Sequence, residues 1–77
     1  MSVPPESIEV GKCYLSNDGR VRRVTRVKPD GGIRYWYRAA TVRSALAEWR
    51  SGTLYADAFA ATVSREVPCD WTPEADR

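Results

Sequence analysis

Between Arg20 and Val27 the chain reads RVRRVTRV, with valine at 21, 24 and 27. That spacing of three matches neither the alternation of a half-buried strand nor the mixed threes and fours of an amphipathic helix. Turn signals bracket the segment, Ser16-Asn17-Asp18-Gly19 before it and Pro29-Asp30-Gly31-Gly32 after it, and its β-branched residues favour a strand over residues 20–28, with helix the alternative. If Val21 and Val24 both face one core, the strand changes face between them. A bulge at Arg22-Arg23 achieves this by inserting one extra residue, and a second change of face is needed to bring Val27 inward.

The neighbouring patterns are simpler. Residues 8–10 and 12–15 predict one short strand interrupted at Gly11, where glycine marks a bulge or bend. Residues 33–39 alternate, with Ile33, Tyr35, Tyr37 and Ala39 on a core face and Arg34, Trp36 and Arg38 on the more exposed one. These three strands form a meander. From Thr41 the period lengthens: Val42, Ala45, Leu46 and Trp49 recur at i, i+3, i+4 and i+7, predicting a helix over 42–50 with Thr41 as N-cap and Gly52 as its stop. A brief strand follows at 53–55. Asp57 then caps a second helical stretch with Ala58, Phe59, Thr62 and Val63 as its apolar stripe. The alternative there is a strand, since Phe59, Ala61, Val63 and Val67 are evenly spaced. A folded core over 8–67 is flanked by extended termini, 1–7 with two prolines and the acidic 68–77. Trp71 is the tail's one large anchor, and packing back onto the domain is favoured over insertion into a partner.

Seventy-seven residues, 43% apolar and 29% charged, make a single domain whose one core leaves little room for a large active-site cavity. No apolar run approaches a membrane span, and MSVPPESIEV lacks the basic and apolar regions of a signal peptide, so the chain reads as cytoplasmic, with no membrane partner. In a reducing cytosol Cys13 and Cys69 are expected as free thiols.

The net charge of +2 conceals a segregation: residues 12–50 hold ten basic groups against three acids, and both ends are acidic. A basic middle raises the local concentration of polyanions.

The Gly-Lys-Cys-Tyr-Leu opening, the Asn-Asp-Gly turn and the Arg-Val-Arg-Arg-Val strand resemble the start of small SH3-like barrels of uncharacterised bacterial and phage proteins, over residues 8–39. The resemblance implies a small barrel of a kind that commonly binds nucleic acid or protein and seldom catalyses; together with the patterns above, the expected fold is an α+β domain, a small bent antiparallel meander or SH3-like barrel with one or two short helices. The helix over 42–50 departs from the minimal barrel. Size and compartment also resemble phage-encoded inhibitors of host defence, including anti-CRISPR proteins.

Catalytic chemistry finds little support. Histidine, the usual base for a serine or cysteine nucleophile, is missing altogether. With only two cysteines, a zinc site of ordinary composition cannot be assembled. Cys13 beside Lys12 reads as a buried, inert thiol, and the acids lack the spacing of a calcium loop. No enzyme activity and no cofactor is expected. What stands above background is the constellation of Arg22, Arg23, Arg26, Arg34, Trp36 and Arg38. Guanidinium groups offer planar forked donors to phosphate and an exposed indole can stack on a base, while the same residue types dominate protein hot spots. The expectation is a non-enzymatic binding face for a nucleoprotein complex, a nucleic acid or a host protein. Its most concrete form is an anti-CRISPR-like inhibitor of a defence nuclease complex. The bland alternative is a solvated arginine face with Trp36 covering the edge of a small core.

Overall fold

The structure, a computed structural model, describes residues 3–76. Five antiparallel strands form one sheet: β1 (Cys13–Ser16), β2 (Arg20–Val27), β3 (Gly32–Ala39), β4 (Arg50–Tyr55) and β5 (Val63–Val67), with a helix, α1 (Ala56–Ala61), between the last two. Short 3-10 turns lie at Pro5–Ser7 and Pro73–Asp76. The strand order β4-β3-β2-β1-β5 leaves β4 and β5 at opposite edges, so the sheet is open rather than closed into a barrel. The meander of the first three strands matches the sequence expectation, and its two turns work by the chemistry their residues suggest. Gly19 (φ 81°) and Gly31 (φ 89°) occupy the left-handed region, where a side chain would be strained, and Asp30 Oδ1 accepts from the Gly32 N–H at 2.9 Å.

The valine spacing has a different cause from the one predicted. Register between β2 and β3 runs unbroken from Arg20 to Val24, so no bulge occurs at Arg22-Arg23; the shift falls between Val24 and Arg26, at Thr25. Val21 and Val24 are both buried, but in separate clusters. Val24 joins Ile8, Tyr14, Ile33, Tyr35 and Phe59 in the larger core. Val21 joins Cys13, Ala40, Val67 and Trp71 in a smaller one. An unbent strand puts residues three apart on opposite faces, and here each face has its own cover, α1 on one and the chain after β5 on the other. The bulge at Thr25 returns Val27 to the face of Val24, opposite Ile33.

Two elements depart from the sequence reading. The helix expected over 42–50 is absent: residues 41–42 and 44–46 form turns and bends, and 43 and 47–49 are irregular. A helix would need the Val42 carbonyl for the Leu46 N–H, but Arg38 Nη1 donates to that oxygen at 2.7 Å, and Leu46 N instead donates to Arg43 O at 2.9 Å. Trp49 Nε1 likewise takes the Ser44 carbonyl at 3.1 Å. So short a helix is marginal without tertiary support, and Leu46, 78% exposed, receives none. Farther on, the segment that read as helix or strand divides into both. Thr62 caps α1 backwards, its hydroxyl donating to Ala58 O and Phe59 O, and β5 then pairs with β1, Cys13 opposite Val67. Residues 8–10 add no strand, since Gly11 (φ 88°) turns the chain there.

The cysteines are joined, contrary to the expectation of free thiols. Cys13 and Cys69 form a disulfide spanning 56 residues, with Cα atoms 5.1 Å apart. The expectation rested on compartment; the pairing is decided by register, because Val67 lies opposite Cys13 and a turn at Pro68, closed by Trp71 N to Pro68 O at 2.9 Å, folds Cys69 back over it. No helix among the described residues is long and apolar enough to cross a membrane.

Candidate functional site

Residues directly opposite in an antiparallel sheet share a face, so the registers sort the arginines. On the side covered by α1, the row Glu66–Tyr14–Arg22–Tyr37–Arg50 crosses the sheet. Arg22 therefore points away from the face expected for it. Its guanidinium carbon lies 5.1 Å from the Tyr35 ring centre and 5.2 Å from that of Phe59, and Nη1 donates to Thr62 Oγ1 at 2.7 Å. The group ties α1 to the sheet.

On the other side the rows Val67–Cys13–Arg23–Trp36–Ser51 and Arg26–Arg34–Thr53 follow one another. Arg38 belongs to this face too, but it is 1% exposed. The expectation that it stands on the exposed side is corrected by the chain after β5, which lies over it. Nη1 donates to the carbonyls of Ala39 (3.2 Å), Ala40 (3.4 Å) and Val42 (2.7 Å), and Nη2 to those of Cys69 (3.0 Å) and Trp71 (2.6 Å). One cation thus pins the 41–49 loop and the C-terminal stretch to β3. Burial holds its pKa below the usual guanidinium value, with nearby Asp70 opposing that shift. Trp71 packs into the smaller core at 8% exposure, and Arg65 lies 5.4 Å from its ring.

Four of the six residues singled out from the sequence, Arg23, Arg26, Arg34 and Trp36, remain together and exposed on this face. Arg26 and Arg34 stand directly opposite one another, an arrangement of like charges that disfavours pairing by roughly 0.2–1 kcal/mol. The ion pairs found among the described residues lie elsewhere, Lys12 with Glu9 (3.6 Å) and Glu66 (3.5 Å) and Arg20 with Asp18 (3.5 Å). Those partners raise the pKa of Lys12, Glu66 most strongly. The Asp18 carboxyl is held low, chiefly by the Ser16 hydroxyl that donates to it. Thus the acids of these ion pairs act on Lys12 and Arg20 and not on the quartet.

Beside this quartet runs an open groove of about 800 Å³, lined by Arg23, Thr25 and Trp36 from the sheet, Ala45 and Trp49 from the 41–49 loop, and Asp70 from the chain after β5. Trp36 is 49% exposed. Trp49 is held more firmly, its ring 5.6 Å from the Arg38 guanidinium carbon and its Nε1 bonded within its own loop. Sequence reasoning missed Trp49, because its helical spacing marked it as a core position, and missed the groove, which exists only once the 41–49 loop packs across the sheet. Among the described residues no three His, Cys, Asp or Glu side chains gather in a metal-binding cluster. The arrangement sets forked cationic donors on one sheet face beside a cleft lined in part by two tryptophans. Comparison of the chain with protein-family models, curated proteins and solved structures gives no match.

Proposed function

We propose that this domain is a non-enzymatic binding module whose exposed β-face, carrying Arg23, Arg26, Arg34 and Trp36, engages the phosphate backbone of a nucleic acid, free or held in a nucleoprotein complex. The observation that carries the reading is the unneutralised pair of Arg26 and Arg34. Two arginines paired across the register, with the ion pairs of the described residues elsewhere, weaken the sheet slightly. A polyanion reverses the sign of that effect, because each phosphate oxygen accepts from a charged fork and counterions are released. Arg22 and Arg38 take no direct part in this account; they hold the two covers of the sheet in place. The SH3-like reading draws support from the bent meander, in which the bulge at Thr25 aligns Arg26 with Arg34. The anti-CRISPR-like form of the reading rests on resemblance in size and pattern, and nothing in the groove favours it over direct binding.

A salt titration tests this. Binding to random duplex DNA is expected to weaken steeply with salt, and the slope of log K against log salt to shrink by about 0.9 for each arginine removed in Arg26→Ala and Arg34→Ala. Absence of binding at low salt, or a slope the two substitutions leave unchanged, refutes the proposal.

A further inference from the structure

Phosphate contacts alone leave the neighbouring groove without a role. Its lining includes Trp36, Trp49 and Arg23, and Arg23 sits directly across from Trp36 in the sheet register. We infer that this groove receives an unstacked base of a single-stranded nucleic acid, with Trp36 as its stacking surface and Arg23, Arg26 and Arg34 along the backbone. The inference rests on the phosphate-binding reading above and extends it to the kind of strand bound.

The occupant is argued from charge and shape together. A purely apolar ligand leaves the arginine rim unused, and a regular duplex leaves the cleft unused because its bases are stacked inside. An unpaired strand presents both an anionic backbone and flat apolar faces, the combination that single-strand binders meet with a basic track and aromatic platforms. The two tryptophans differ in a way that suits this division. Trp49 is fastened to its loop carbonyl and backed by the buried Arg38 guanidinium, so it forms a fixed wall. Trp36 stands half in water, and a base laid over it removes apolar ring surface from solvent. Asp70 in the lining disfavours phosphate beside it, which directs the backbone toward the arginines. Every base has an aromatic face, so tolerance of sequence is expected.

The experiment compares an oligothymidine of about 12 nucleotides, the matching oligouridine, and a duplex of the same length, followed by quenching of tryptophan fluorescence and by anisotropy. Single strands of either sugar are expected to bind more tightly than duplex and to quench. Trp36→Ala is expected to weaken single-strand binding about 5- to 150-fold and duplex binding by far less. Trp36 is exposed, so the variant should keep its fold, which far-UV circular dichroism and the urea midpoint check. Equal binding of single strand and duplex, or a Trp36→Ala loss shared by both, overturns the inference and leaves the arginine reading standing. No binding of any of the three overturns both.

Discussion

Arg38→Met removes the guanidinium and keeps most of the unbranched stem. Five backbone carbonyls lose a charged donor, the three closest at 2.6, 2.7 and 3.0 Å. A buried acceptor left unsatisfied costs about 1–3 kcal/mol. Against this stands the relief of no longer burying a cation, whose Nε finds no acceptor among the described residues; replacing buried charge by apolar volume can itself be favourable. The carbonyls belong to the main chain and cannot be deleted along with the donor, so the loss dominates and a net of about 3 kcal/mol is expected. A domain of this length has about 4–12 kcal/mol in all, which makes the effect large. Urea unfolding under non-reducing conditions, with the Cys13–Cys69 bridge kept in both proteins, measures it. Arg38→Lys should fall between parent and Met variant, since an ammonium has three donors and no fork. A Met variant within about 1 kcal/mol of the parent, at unchanged m-value, would mean that the carbonyls do not depend on the guanidinium. The tail would then be seated by Trp71 and the bridge alone.

Three further outcomes follow from the same contacts. Reducing the disulfide should lower unfolding free energy by about 2–5 kcal/mol, the usual cost of losing a native bridge in a small domain, yet leave the domain folded at 25 °C because Arg38 and Trp71 still hold the tail; collapse of the near-UV spectrum on reduction would contradict this. Gly52→Ala places a Cβ 2.8 Å from the Tyr35 ring, so a loss of about 1–3 kcal/mol is expected from overpacking, read as a drop in melting temperature. Tyr14 is 1% exposed and its hydroxyl donates to Ser7 O at 3.1 Å; burial, the largest influence, raises its pKa above 10.0. The folded state therefore keeps this proton longer than the unfolded chain does, and the stability present below pH 10 should decline as pH rises toward the raised folded value. Tyr14→Phe should flatten that alkaline decline in melting temperature, and an unchanged slope would place its cause in another group.

Local chemistry was enough to read the two hairpins. Asn17-Asp18-Gly19 and Pro29-Asp30-Gly31 stop the chain where left-handed glycines are needed, and the alternation at 33–37 already separates Tyr35 from Trp36. A sequence also states which residue types are present, so the basic middle segment was visible before any fold. The destination of each arginine was not. Arg22, Arg23 and Arg38 are the same residue on adjacent extended segments, yet one stacks under α1, one stays in solvent and one is buried, because that depends on which remote segment covers each face. The valines at 21 and 24 show the same limit from the apolar side: their spacing implied a bend if there was one core, and the domain has two. The helix over 42–50 failed for a related reason, since its pattern was sound but Arg38, outside the window, holds one of the carbonyls it required. Cysteine pairing too was decided by register, with Val67 opposite Cys13, where the sequence offered only compartment as a guide.

Periodicity and turn chemistry act over a few residues and are therefore written in the chain. Face, burial and partnership are set by contacts between residues far apart in sequence, such as Arg38 with Trp71 or Cys13 with Cys69, and only the folded arrangement decides them.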